Sequence, residues 1–137
     1  MNTESIEPFA AGIFTAAADG SGELLGAACT ACGRRYFPRR DHCPVCGIDL
    51  AARSLGGRGT LYSFTVVRVR PPLGLPAPYA VGYVDLEDGP RVFGLLDPDA
   101  VDDFAIGMPL ELRVAALGVD VRGRRCLRPY FAPRRGA

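Results

Sequence analysis

The chain has 137 residues, a hydrophobic content of 48% and a formal net charge of +1. These values fit one globular domain with at most a small appendage. They exclude a transmembrane helix, since no apolar run approaches about 20 residues, and a global charge that would attract nucleic acid or membranes. All 16 basic residues are arginines, which excludes covalent catalysis by lysine.

The N-terminal sequence, MNTESIEPF, is not typical of a secretory signal peptide. It has no basic stretch followed by an apolar one. We therefore expect a cytoplasmic protein, in which thiols stay reduced. Disulfides are disfavoured on the same ground.

The first 25 residues are predicted to form an N-terminal arm. Residues 9–18 are mildly apolar and rich in alanine, which favours a short helix that DGSG at residues 19–22 would end. Residues 26–52 carry four cysteines and too few aliphatic side chains for a core of their own. They are predicted to form a second unit, and residues 53–137 a third.

Short β-strands follow one another in the third unit. They are predicted at residues 60–69, 79–87, 91–97, 109–117 and 125–133. The proline-rich residues between the first two predict a stiff loop, and DGP after the second predicts a hairpin turn. Asp97 and Pro98 begin a predicted short helix between the third and fourth strands. This element order is that of a five-stranded OB-fold barrel, although periodicity alone also permits another small β-barrel. The predicted fold class is mainly β.

Two C-x-x-C pairs, ten residues apart, indicate a metal site. Each pair places two thiols at one tight turn, and four sulfurs form the tetrahedral set that zinc takes at about 2.3 Å per bond. A glycine follows each pair and permits the turn. The pattern predicts one structural zinc ion in a rubredoxin-like zinc ribbon that would be unfolded without metal. The predicted ligands are Cys29, Cys32, Cys43 and Cys46.

Other interpretations of these cysteines are weaker. A redox C-x-x-C needs only one pair and usually opens a helix, whereas iron could occupy the same sulfur set. A catalytic zinc needs an open position, and four cysteines leave none. His42, the only histidine, is a less suitable ligand than the cysteines and is expected at the surface. Cys126 is expected in the core.

No active site can be assembled from the sequence. A single histidine beside a metal turn does not make a serine–histidine–acid triad, and no G-x-x-x-x-G-K-[ST] nucleotide loop occurs. The acidic residues cluster in a turn and at a helix start, where solvation and capping explain them. The chain alone is predicted not to be an enzyme.

A zinc ribbon followed by an OB-fold resembles the zinc-ribbon/OB-fold family of acyl-CoA-associated proteins. The resemblance implies a non-catalytic accessory subunit that docks on a thiolase-like enzyme, which makes or breaks a C–C bond next to an acyl-CoA carbonyl. Aldolases, hydratases and acyltransferases are other partners that it implies, in a hetero-oligomer with a CoA thioester at the interface. The matching segments are GELLGAACTACGRRYFPRRDHCPVCG (22–47), GRGTLYSFTVVR (57–68), PYAVGYVDLEDGPRVFGLL (78–96), IGMPLELRV (106–114) and LRPYFAP (127–133).

Residues for such a role can be proposed from side-chain chemistry. Arg39 and Arg40 could bind CoA phosphates as bidentate donors, although a solvated face explains them as well. The apolar arm and the proline-rich loop offer surface for a partner, since a stiff loop loses little entropy on docking. The predicted partner-binding residues are Phe9, Ile13, Phe14, Leu73 and Leu75.

Two other functions stay open at this point. OB-folds and zinc ribbons also bind single-stranded nucleic acid, and Tyr62, Phe64, Arg68 and Arg70 share one face of the first predicted barrel strand. The near-zero net charge and seven acidic residues between positions 85 and 103 argue against it. The third possibility is a scaffold that binds free acyl-CoA without a partner.

Overall fold

The computed structural model describes residues 6–134, which fold into two antiparallel sheets. The N-terminal sheet is organised around β2, which pairs with each of its three other strands. Its strands are β1 (Phe14–Ala16), β2 (Gly22–Ala28), β3 (Arg35–Tyr36) and β4 (Ala51–Ser54). The C-terminal sheet has the order β7-β6-β5-β8-β9. Its strands are β5 (Arg58–Val67), β6 (Tyr79–Leu86), β7 (Arg91–Leu95), β8 (Pro109–Val119) and β9 (Arg125–Pro133).

The C-terminal sheet curls until its two outer strands, β7 and β9, meet. They join through a parallel bridge between Leu96 and Phe131, where the Asp97 N–H donates to the Phe131 carbonyl at 2.8 Å. This strand order with parallel closure confirms the predicted OB-fold. The zinc ribbon, the five-stranded barrel and the mainly β fold class were all predicted correctly.

Helical structure is nearly absent from residues 6–134. The helix predicted after Asp97 is a single 3₁₀ turn, Pro98–Ala100, in which the Asp97 carboxylate accepts a hydrogen bond from the Asp99 N–H at 2.9 Å. The capping chemistry was therefore correct, but the turn does not continue. No helix in this part of the chain is long and apolar enough to cross a membrane.

The helix predicted at residues 9–18 of the arm is wrong. Phe14 is the first residue of β1, which pairs with β2, and its side chain is buried. Further upstream, the Phe9 N–H donates to the Leu127 carbonyl, and the Leu127 N–H donates to the Glu7 carbonyl. The arm is thus held extended by pairing with two sheets, and these contacts outweigh the small helix preference of its alanines, which is a few tenths of a kcal/mol per residue.

One core serves the barrel and the ribbon. Alternate residues of the barrel strands point inward and are almost completely buried, among them Leu61, Val84, Leu110 and Phe131. Leu55, between β4 and β5, belongs to the same cluster and is 1% exposed. Burying a side chain of this size contributes roughly 1.5–3 kcal/mol, so Leu55 ties the ribbon to the barrel.

A polar contact supports the same junction. Asp88, in the turn between β6 and β7, pairs with Arg53 of β4 at 2.9 Å and with Arg35 of β3 at 3.2 Å. All three side chains are about one-third to two-fifths exposed, so each pair is worth at most about 1 kcal/mol. The pairs orient the ribbon, while the apolar contact through Leu55 supplies most of the stabilisation.

Candidate metal centre

The structure brings the four predicted zinc ligands together at one point. The sulfur atoms of Cys29, Cys32, Cys43 and Cys46 all lie within 4.8 Å of one another. The Sγ atoms of Cys32 and Cys43 are 3.8 Å apart. Four sulfurs arranged tetrahedrally at about 2.3 Å from a zinc ion would be separated by about 3.8 Å. The arrangement therefore matches a four-coordinate zinc site.

Two turns of the same design present these sulfurs. In the first, the Cys32 N–H donates to the Cys29 Sγ at 3.4 Å, and the Gly33 N–H donates to the Cys29 carbonyl at 2.9 Å. In the second, the Cys46 N–H donates to the Cys43 Sγ, again at 3.4 Å. Gly33 and Gly47 have φ values of 78° and 75°, which glycine adopts without a steric cost. The backbone thus points donors at sulfurs that carry negative charge once metal is bound.

Side chains around the site also favour thiolates. The Tyr36 hydroxyl lies 3.5 Å from the Cys43 Sγ, and its hydrogen bond is the main reason that the pKa of Cys43 falls to about 6. The pKa of Cys32 is lowered chiefly by a hydrogen bond from the Arg34 backbone. The pKa of Arg34 is raised, first by the hydrogen bond of its guanidinium to Cys32. No sequence pattern indicates the contact of Tyr36 with Cys43, because this contact depends on the fold of β3.

Four thiolates need a cation. Without a cation, the pKa of Cys46 is raised to about 12, first by the hydrogen bond of its sulfur with Cys32 and then by desolvation of the thiolate. A divalent ion reverses this, because a metal-bound thiol is deprotonated outright. The donor set and its spacing fit zinc, and the four sulfurs fill the coordination sphere with no position left for substrate. The site is structural in chemistry.

The remaining histidine and cysteine lie outside the metal site. His42 is exposed and its Nε2 is 3.1 Å from the Asp49 carboxylate. Cys126 is completely buried on β9. Both placements confirm what was predicted for these two residues.

The arginines predicted to bind CoA lie beside the ribbon. Arg39 and Arg40 are both exposed, and the Arg40 guanidinium lies 5.6 Å from the centre of the Tyr36 ring. Through Tyr36, Arg40 is therefore connected to the metal site. Their role toward CoA stays a prediction.

The predicted partner-binding residues are placed differently from one another. Phe9, Ile13 and Leu75 line one apolar slot. Phe14 is 8% exposed and belongs to the core, so its side chain packs within this chain. Leu73 is 40% exposed, has a φ of 57°, and accepts a hydrogen bond from the Val119 N–H through its carbonyl. Whether any of them contacts a partner stays a prediction.

An aromatic face on the outside of the barrel was not predicted. Tyr62, Tyr83 and Phe93, from β5, β6 and β7, are 49%, 45% and 58% exposed. The rings of Tyr83 and Phe93 pack edge to face at 5.1 Å, and the Arg91 guanidinium lies 3.3 Å from the centre of the Tyr62 ring. We call Tyr62, Tyr83 and Phe93 the aromatic face.

A bulge in β5 explains why strand alternation predicted the exposed face of this strand incorrectly. Tyr62 is exposed, as alternation with the buried Leu61 requires, but the register with β6 shifts between Leu61 and Ser63, so the alternation does not continue beyond Tyr62. Phe64, placed on the same face by parity, instead packs against the core near Phe104. The four residues grouped from alternation in this strand therefore do not form one surface.

Fold and metal geometry define a protein in which a zinc ribbon is joined to an OB-fold barrel. Comparison with known proteins identifies the family. The family model "ChsH2, rubredoxin-like zinc ribbon domain" matches residues 16–50, and "ChsH2, C-terminal OB-fold domain" matches residues 52–115. The chain belongs to this ChsH2 family of zinc-ribbon/OB-fold proteins, which is the family that the sequence resembled.

Three relatives illustrate the family. A "DUF35 domain-containing scaffold protein" of Methanocaldococcus jannaschii is 36% identical over 91 residues, which is 64% of either chain and so less than two thirds of the relative's length. "Benzoylsuccinyl-CoA thiolase subunit BbsA" of Thauera aromatica is 35% identical over 107 residues, 77% of this chain and 73% of the relative. The solved structure "Ltp2-ChsH2(DUF35) aldolase" matches with a TM-score of 0.65 and 32% identity, over 81% of this chain and 84% of that one.

Proposed function

We propose that this chain is a non-catalytic accessory subunit that docks on an acyl-CoA enzyme. The enzyme would be of the thiolase type, which makes or breaks a C–C bond next to an acyl-CoA carbonyl, or an aldolase or hydratase. The observation that carries the proposal is a metal site closed by four cysteine sulfurs in a chain whose relatives are a scaffold protein and a thiolase subunit. A zinc ion with four cysteine ligands stabilises the fold and has no open coordination position for catalysis.

The aromatic face supports docking. Exposed aromatic residues clustered on one sheet are costly to leave in water and are enriched in the buried centres of interfaces. Phe93 also lines the apolar slot next to this face, so the two apolar surfaces are continuous. We therefore place the partner over β6 and β7, where it would cover Tyr83 and Phe93, and this placement could support assembly, substrate access or CoA binding.

Phe93→Asp tests this placement. Tagged wild-type and variant chains are expressed in the native host, and the co-purifying acyl-CoA enzyme subunit is quantified by mass spectrometry. We expect at least a tenfold loss of the partner, because a charge would be buried in an apolar contact. Val121→Asp, at a position 91% exposed in the turn before β9, is the matched control and should retain it. Equal recovery with Phe93→Asp would show that the partner binds elsewhere.

Direct contact with CoA is a separate part of the proposal. Arg39 and Arg40 have no carboxylate within 4.0 Å among residues 6–134, so their charges are available to phosphates. The double variant Arg39→Ala/Arg40→Ala is expected to weaken acyl-CoA binding by the isolated complex about tenfold, measured by calorimetry. Its control is Arg122→Ala/Arg124→Ala, in the turn before β9. Unchanged affinity in the first variant would remove CoA binding from the role of these arginines.

Single-stranded nucleic acid is the alternative ligand, and one observation favours it. The aromatic face lies on the strands that OB-folds use for oligonucleotides, with Arg91 beside it. However, Arg91 is paired with Asp85 at 2.6 Å, which neutralises the cation nearest the rings. Titration with a 20-nucleotide oligo(dT) at low salt discriminates between the two functions: binding that weakens as salt rises supports this alternative, and the absence of binding eliminates it.

A further inference from the structure

The barrel wall has a slot between β7 and β9. These strands meet at the bridge from Leu96 to Phe131, and the slot opens on the side of the bridge where residues 93–95 face residues 128–129. The Leu127 N–H points away from β8, toward the arm, and N–H groups of alternate strand residues point the same way. The nitrogen of Pro129 therefore faces β7 without a hydrogen to donate. This missing donor prevents the two strands from pairing further.

The slot is apolar and reaches the core. Its volume is about 320 Å³, which is within the range of small-molecule sites. Its floor includes Val92, Leu112 and Phe131, which belong to the barrel core. Its walls come from separate parts of the chain: Phe9 of the arm, Phe37 of the ribbon and Leu75 of the loop between β5 and β6. A pocket that ends on core side chains suits a narrow apolar group better than a flat protein surface.

One cation lines this apolar slot. Arg128 of β9 is 7% exposed. Its Nη1 donates to the Leu117 carbonyl at 3.0 Å and its Nη2 to the Val119 carbonyl at 3.1 Å, while the guanidinium lies 5.1 Å from the centre of the Phe9 ring. No carboxylate of residues 6–134 lies within 4.0 Å of it. A guanidinium has five N–H donors, and a buried charge without a counter-ion is costly.

We propose that the slot binds a medium-chain carboxylate, with the alkyl chain against the core and the carboxylate on Arg128. The apolar lining selects the chain, and the guanidinium, which lacks a carboxylate partner, selects the anion through charge-assisted hydrogen bonds. This activity belongs to this chain itself and does not depend on the acyl-CoA enzyme proposed above. It would let the subunit respond to a free carboxylic acid.

Calorimetry on the full zinc-loaded chain tests the site with octanoate as the probe. Each methylene removed from water should improve affinity up to roughly fourfold, so butyrate should bind at least tenfold more weakly than octanoate. Octanol has the chain but no charge and should also bind at least tenfold more weakly. Octanoate and octanol of equal affinity would overturn the role of Arg128. If octanoate does not bind, the proposed carboxylate site is wrong, and a side chain of a protein partner becomes the occupant that the slot suits.

Two variants locate the binding. Leu95→Trp should fill the slot and abolish octanoate binding, whereas Val121→Trp, at an exposed position that does not line the slot, should leave it unchanged. Arg128→Met should remove the preference for octanoate over octanol. If Arg128→Met does not fold, the comparison of octanoate with octanol in the wild-type chain still decides the role of the charge. Octanoate binding that survives Leu95→Trp would place the ligand elsewhere and overturn the proposal.

Discussion

Cys43→Ser is expected to abolish zinc binding and to unfold the ribbon. Cys43 is 1% exposed, and its sulfur accepts the hydrogen bonds of the Cys46 N–H and the Tyr36 hydroxyl. Structural zinc supplies about 10–16 kcal/mol in small zinc-dependent peptides, and residues 26–52 have little core of their own to replace it. Chelation of the wild-type chain should have the same effect. The free energy of metal binding makes this the largest effect that we expect.

Metal content by mass spectrometry and amide hydrogen exchange measure this effect. The wild-type chain should hold one zinc ion, and the variant none. Exchange should become fast in β3 and β4, while the central barrel strands stay protected because most residues of the shared core lie on β5–β9. Cys126→Ala is the matched control, since Cys126 lies outside the metal site, and it should keep its zinc. One zinc ion retained by Cys43→Ser, with slow exchange in β3, would contradict the four-sulfur site.

Phe131→Ala is expected to lower the free energy of unfolding by about 3–5 kcal/mol. Phe131 is 2% exposed, pairs with Leu112 of β8, and closes the barrel at its bridge to Leu96. Its ring covers Gly94, where a Cβ would lie 3.3 Å from the nearest ring carbon. Truncation therefore removes buried apolar area and leaves a cavity where the barrel closes.

Urea denaturation of the zinc-loaded chain measures the loss. Phe93→Ala provides the matched control, because the same side chain is removed from a position that is 58% exposed, and we expect a change within about 0.5 kcal/mol. Similar losses in the two variants would mean that Phe131 does not close the core as described.

Local sequence patterns predicted most of the fold. The strand predicted at residues 125–133 is β9 as observed, and the other barrel strands differ by a few residues at their ends. The cysteine spacing predicted the metal ligands because a C-x-x-C turn is a local structure. The arm was predicted incorrectly, since its conformation depends on pairing with β2 and β9, which lie far away in sequence.

The surfaces of the barrel could not be predicted in the same way. Alternation assigned Tyr62 and Phe64 to one face of β5. A bulge that no residue pattern indicates places them on different faces. The slot needs the arm, the ribbon, a loop and two barrel strands at once, so no single segment carries a signal for it. Arg128 is one of many arginines near the C-terminus, and no sequence pattern indicates that its side chain is buried.

The most direct test of the proposed function is recovery of the native complex. The tagged chain is purified from its host, and co-purifying components are identified by mass spectrometry, with Phe93→Asp as the control. We predict a stoichiometric subunit of a thiolase, aldolase, hydratase or acyltransferase with the wild-type chain, and its loss with the variant. Recovery of nucleic acid or ribonucleoprotein, with no acyl-CoA enzyme, would contradict the accessory-subunit proposal and favour the nucleic-acid alternative.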